Sequence, residues 1–338
     1  MVRSANQSND VPFKFIHSGQ KEIGYIDNRI HMDMDIGSTN DFKMEISYPV
    51  WKKQSFNYKE YIFIPGTEFG GIITNIESTT RTKTVNVGGY TWRGLLSKKI
   101  VQPPDNENYL ILNGELNEVI RSLIGDRFGS LFIVPRNATD VAVTNWKVDR
   151  YVSLLDALNK LLANYKCKLK IVGIEESVSG DFHVEISAEH IKDYTNEIEY
   201  SGKHYADLNV KDYRGGVNHL ICAGEGQGAE RLVKHLYVQA DGSIGDIQHF
   251  TGVDEIEEVY KYNGADEEQL TKDGAKRLKE RMSNKQIKAT AKEIDVDIGD
   301  IIAGYDDVTN TSVTVPVIGK ILKMSCGIIK IEHTTKGE

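Results

Sequence analysis

The sequence predicts an α+β fold that is mainly β: two similar small β-barrel modules, an α+β module inserted between them and one peripheral helix. Three observations carry this expectation. Apolar residues alternate with a period of two through most of the first hundred residues, the period lengthens to about three and a half after Pro103-Pro104, and glycine-led apolar strands of one pattern occur near both ends. A chain of 338 residues is long for one module, and the boundaries fall at 1–104, 105–200 and 201–338.

In the first region, Ile30, Met32, Met34 and Ile36 alternate with His31, Asp33 and Asp35, and Phe42, Met44, Ile46 and Tyr48 alternate with Lys43, Glu45 and Ser47. Each strand therefore has one wet face. YIFIPGTEFGGIITNIE adds two strands joined at Pro65-Gly66, and TKTVNVGGYTW adds another after a polar hairpin around Ser78 to Arg81. Short strands without helices read as a barrel or sandwich. The region closes with VGGYTWRGLLSKKIVQPP. Here Gly88-Gly89 is expected to turn or bulge a strand, Tyr90 and Trp92 to anchor apolar surface, Leu95-Leu96 to pack a helical turn, and Lys98 and Lys99 to face solvent or a neighbouring subunit.

In the second region, Leu116, Val119, Ile120, Leu123 and Ile124 mark one helix face, closed by Gly125. SLFIVP reads as a strand. Ser153 to Asp156 resembles a capping box leading into Leu154, Leu155, Leu158, Leu161, Leu162 and Tyr165 on one face. KLKIVGI and FHVEISA read as an antiparallel pair around Ser179-Gly180. The third region returns to strands, with a charged helix inserted at about 266–284 whose stripe, Leu270, Gly274, Leu278 and Met282, is thin enough to pack on one surface only. FIPGTEFGGIITNI and the pair DIGDIIAG and VPVIGKILKM share a scheme of glycine turn, strand and Gly-X-Ile, which is a weak repeat.

No motif carries catalytic, cofactor or metal chemistry, so the expected catalytic, cofactor-binding and metal residues are none. Gly224, Gly226 and Gly228 superficially match a phosphate-binding loop, but Ala229 replaces the last glycine and ERLVKHLYV reads as a strand, giving a glycine-rich hairpin. The histidines include no HExxH or HxH, and His183 and His190 lie seven apart. Asp295, Asp297, Asp300, Asp306 and Asp307 lack the spacing of a calcium loop and read as a solvated strand face and turn. Cys167, Cys222 and Cys326 are far apart and read as reduced core thiols. The 49 acidic and 41 basic residues are interspersed, which argues against a general nucleic-acid binder. No signal-peptide-like or membrane-spanning run occurs, so the chain is expected to fold as a soluble cytoplasmic protein and the expected partners include no membrane.

The order VGGYTWRGLLSKKIVQPP, α+β insert, VKDYRGGVNHLICAGEGQG and DIGDIIAGYDD resembles the hub or tail-associated proteins of phage tails and contractile injection systems. More narrowly it resembles the Gp37-like siphovirus tail proteins and the hub protein of defective-prophage tail particles. Gly89 to Leu96 and Val217 to Leu220 with the following glycines are the telling motifs, and the resemblance spans roughly residues 10–335. It implies a non-enzymatic baseplate hub: a homotrimer whose paired barrels form a pseudo-sixfold ring between the sixfold tail tube and a threefold spike or tail tip. The implied setting is a phage tail or bacteriocin-like particle, with other baseplate proteins as partners and passage of DNA or a tape-measure protein through the lumen. The net charge of −8 suits such a lumen. With the last strand GIIKIEH close to Glu338, no lytic domain is expected. The alternatives are a tail-associated cell-wall hydrolase and an unrelated β-rich binding module.

Overall fold

The computed structural model describes residues 13–16, 23–176, 181–195, 199–200, 207–291, 296–306 and 308–335. In the first region these form β1 (Lys14–Ile16), β2 (Ile23–Tyr25), β3 (His31–Ile36), β4 (Asp41–Ser47), a single turn α1 (Tyr48–Trp51), β5 (Tyr61–Phe63), β6 (Gly70–Thr79), β7 (Thr84–Thr91) and α2 (Trp92–Ser97). The alternation in β3 and β4 has the expected consequence. Met32 lies opposite Met44 and Met34 opposite Phe42 on the buried face, while Asp33 lies opposite Lys43 outside.

The second region contains β8 (Ile100–Val101), β9 (Leu110–Glu115), α3 (Leu116–Ile124), β10 (Phe132–Ile133), β11 (Ala142–Val148), β12 (Val152–Ser153), α4 (Leu154–Asn164), β13 (Cys167–Glu175) and β14 (Phe182–His190). Both helices start at side-chain caps. Glu115 accepts from the Glu118 amide at 3.1 Å, and the Ser153 hydroxyl accepts from the Asp156 amide at 3.1 Å while donating to Asp156 Oδ2 at 2.7 Å. Gly125 ends α3 at φ +54°. The apolar stripes of α3 and α4 meet β13 and β14 in one core. The expected strand SLFIVP shrinks to two residues because the Arg121 guanidinium takes the carbonyls of Val134 and Pro135 at 3.0 and 2.9 Å. The turn expected at Ser179-Gly180 lies outside the described residues.

The third region contains β15 (Glu199–Tyr200), β16 (Asp207–Tyr213), β17 (His219–Ala223), β18 (Val233–Val238), β19 (Ile244–Gly245), β20 (Glu257–Lys261), α5 (Glu267–Arg281), β21 (Asn284–Ala291), β22 (Ile301–Asp306), β23 (Thr311–Ser325) and β24 (Ile328–Thr335). Asp266 caps α5 through the Gln269 amide, and Leu270, Gly274 and Leu278 are its buried face. That stripe covers a small sheet of order β19-β18-β17-β20. Gly274 is required there, since a Cβ would lie 2.5 Å from Cys222 Sγ.

The first and last regions meet in one sheet. Its described strands run β16-β21-β24-β23-β3-β4-β7-β6-β5-β1-β2, with β22 and β15 branching from β23. Strand β23 is 15 residues long and bulged between Val317 and Gly319, so its first half pairs with β22 and its second half with β3 and β24. Its Leu322 and Met324 join Phe15, Phe42, Met44 and Val87 in one buried cluster, so the sheet curls around a core filled from both ends of the chain. The protein is thus mainly β, with its three longest helices, α3, α4 and α5, in the second and third regions. No helix among the described residues is long and apolar enough to cross a membrane.

Candidate functional site

The stretch Val87–Pro104 is a joint between cores. Gly88 and Gly89 sit in β7 beside a bulge in β6, where the register shifts between Ile73 and Asn75. A Cβ on Gly89 would lie 1.9 Å from the Ile72 carbonyl oxygen, so glycine lets the two backbones close. Trp92 is fully buried. Its ring lies 5.7 Å from Phe182 and 6.0 Å from Tyr61, and Phe182 stacks on Phe63 at 4.1 Å, so residues of the first region complete the core of the second. Arg93, 4% exposed, ion-pairs with Glu68 and donates through Nη2 to the Leu169 carbonyl at 3.0 Å. Lys98 and Lys99 lie over the Tyr90 and Phe128 rings of their own chain.

The acidic cluster differs from expectation. Asp300 is fully buried and Asp297 mostly so, and neither lies on a solvated face. Lys168 Nζ, on β13, reaches both Asp300 oxygens at 2.7 Å, Asp297 at 3.3 Å and Glu189 at 3.2 Å. Asp297 also receives Lys170 at 2.5 Å and Lys320 at 2.8 Å, and Asp300 accepts the amides of Lys192 and Asp297, each at 2.9 Å. Burial pushes the Asp297 carboxyl up, but the surrounding Lys320 and Lys170 ammonium groups outweigh it and hold it well below the usual range. Burial likewise pulls the Lys168 ammonium down, and Asp300 and Asp297 more than restore it. The carboxylates reach the interior because three lysines meet them there, which ties the turn before β22 to β13 and β23. The side chain of Asp306, and all of Asp295 and Asp307, lie outside the described residues.

The other sequence candidates stay apart. Gly224–Ala229 joins antiparallel β17 and β18, with the Gly224 amide donating to Leu232 O and the Arg231 guanidinium donating to Gly224 O and Ala223 O. This is the expected hairpin. On β14, His183 neighbours Glu185 and His190 neighbours Cys167. Cys167 and Cys222 are buried, but Cys326 is exposed, because the short β23–β24 connection places it at φ +49° in a turn.

One constellation has no counterpart in the sequence motifs. His219 opens β17 and Glu257 opens β20, and the parallel register places them side by side. The Asn218 side chain clamps the chain just before β20, donating to Asp254 O at 2.6 Å and accepting the Ile256 amide at 2.9 Å, which holds Glu255 over the same imidazole. His219 Nδ1 lies 2.7 Å from Glu255 Oε1 and 3.1 Å from Glu257 Oε1, and Nε2 lies 2.8 Å from His235 Nδ1. Tyr237, directly opposite across the ladder, stacks on the His219 ring at 4.4 Å. Sequence separations of 16 and 36 residues match no ligand spacing, and it takes the strand register together with the Asn218 clamp to bring these groups together. Beside this cluster, a groove of about 1200 Å³ runs between the small sheet with α5 and the β23 segment, lined by Arg214, Phe250, Val253, Lys279, Pro316 and Ile318 among others.

No family model matches the sequence, and no curated protein does. Solved structures do match the fold. The 43 kDa tail protein of prophage MuSo2 from Shewanella oneidensis superposes with a TM-score of 0.53 at 11% identity, covering 96% of this chain and 97% of that one. The tail protein from Neisseria meningitidis MC58 superposes with a TM-score of 0.50 at 11% identity over 96% of each chain. The chain therefore has the fold of these tail proteins along nearly its whole length.

Proposed function

We propose that the chain is a non-enzymatic hub protein of a phage tail or related injection particle. The observation that carries the reading is the near end-to-end match to a prophage tail protein. Coverage of 96% of this chain and 97% of that one is more than a single shared module would give. On this reading residues 1–104 and 201–338 are the two ring-forming β modules, residues 105–200 are the insert, and the peripheral helix is α5. Three chains then present six related β modules to a sixfold tail tube and three equivalent faces to a spike or tail tip.

The joints described above support a scaffold role. β23 pairs with both β3 and β22, Trp92 plugs the insert against the first module, and Lys168 and Lys320 lock the turn at Asp297–Asp300. Such multiply braced modules suit a part that transmits load. The net negative charge suits a lumen that passes DNA or a tape-measure protein without holding it, and reversing lumen-facing acidic residues should then slow ejection. Cross-linking mass spectrometry on purified particles tests the partner assignment. Cross-links to both the tube protein and the spike or tip protein are expected; a chain cross-linked to neither is not a hub. Zymography on cell walls should show no clearing band from the purified chain.

A further inference from the structure

We infer that His219, Glu255 and Glu257 form a binding site for a first-row divalent transition-metal ion, with zinc(II) the best-matched probe. The three donor atoms lie within 4.8 Å of one another and come from two adjacent segments that the fold holds together. His219 is held by the β17 ladder and the Tyr237 ring, Glu255 by the Asn218 clamp and by Gln248 Nε2 at 2.7 Å, and Glu257 by the parallel pairing of β20. One imidazole nitrogen with two carboxylates suits zinc(II), manganese(II) or nickel(II) better than calcium or magnesium, which prefer all-oxygen shells.

The surroundings fit a metal beyond the ligand count. A cation on Nδ1 leaves the His219 ring proton on Nε2, where His235 Nδ1 lies 2.8 Å away to accept it. That second partner fixes tautomer and ring orientation, as partners of metal-bound histidines commonly do. Burial is graded in the same sense. The His219 side chain is 8% exposed, Glu255 23% and Glu257 55%, so the site has an anchored floor and an open side for water to complete the coordination. An ion here would tie the Gly252–Asp254 turn and β20 to β17. Val253, almost fully exposed, and Asp254 belong to that turn and line the groove, so metal would set the position of the groove wall.

The test uses the full chain carrying Cys326→Ser, which removes the exposed competing thiol, stripped with a chelator and titrated with zinc(II) by calorimetry. One equivalent should bind and raise the melting temperature, calcium and magnesium should not compete, and cobalt(II) should give visible d–d absorption. Glu257→Gln alters an exposed side chain and should leave folding intact, yet weaken zinc affinity by at least about tenfold, as should Glu255→Gln. Failure to take up one equivalent of zinc(II) overturns the assignment. So does uptake that both glutamine variants leave unchanged, because the ion then sits elsewhere, and so does equal competition by calcium. None of these outcomes depends on the hub reading.

Discussion

Replacing Lys168 by methionine removes the only charge that reaches both Asp300 oxygens among the described residues, while the unbranched thioether fills most of the vacated space. The Lys168 side chain is 2% exposed and that of Asp300 1%. Asp297 keeps Lys170 and Lys320, so the orphan is Asp300, left with the amides of Lys192 and Asp297. Breaking a buried pair from one side costs roughly 3–5 kcal/mol, and the two retained amides place this case near 3 kcal/mol. At about 2–4 °C per kcal/mol for a unit of this size, the first thermal transition should fall by about 6–12 °C. Scanning calorimetry measures it. The double variant Lys168→Met/Asp300→Asn removes the orphan charge and keeps an acceptor for the Lys192 amide, so it should regain at least about 1 kcal/mol over the single one. A loss below about 1 kcal/mol for Lys168→Met, or no recovery in the double variant, would refute the idea that this cluster braces the junction.

Acid should loosen the same junction. Asp297 and Glu189 are depressed carboxyls, so their contribution is complete above their unfolded values of 3.8 and 4.5 and is lost as pH falls through the lower folded values. Lys168 is raised, so its contribution persists below 10.5 and is lost only above its higher folded value. Melting temperature should therefore drop steeply below about pH 4, and Asp297→Asn should flatten that drop while lowering stability at pH 7. Gly89→Ala pushes a methyl group to within 1.9 Å of the Ile72 oxygen and should cost about 1–3 kcal/mol in chemical denaturation, or abolish soluble expression. Trp92→Ala empties the aromatic contact between the first and second regions and should cost about 3–5 kcal/mol, read as loss of cooperative melting between them. Under native conditions only Cys326 should react rapidly with a thiol reagent, since burial raises Cys167 and pushes the Cys222 thiol up to about 11. Rapid labelling of all three cysteines would contradict the buried placements.

Local patterning made much of this architecture legible. The alternation in β3 and β4, the Ser153 cap, the stripes of α3 and α4 and the thin stripe of α5 are all decided by residues within a turn or two, where period and capping chemistry act. The rest depends on partners far away in the chain. Asp297 and Asp300 read as surface residues until β13, some 130 positions earlier, supplies Lys168 and Lys170. β23 looks like an ordinary strand of the last region, yet a bulge at Val317 to Gly319 hands its second half to β3. His219 is a lone histidine until parallel pairing with β20 delivers Glu257. Ion pairing across sheets and strand order leave no local periodicity, so only the folded chain displays them.

A cryo-electron microscopy reconstruction of the purified particle tests the hub assignment. Three copies of this chain are expected in one ring at the end of the tail tube, with the β modules of residues 1–104 and 201–338 alternating around it. A particle without the chain, or one that carries it as a sixfold ring or at scattered peripheral positions, would contradict it.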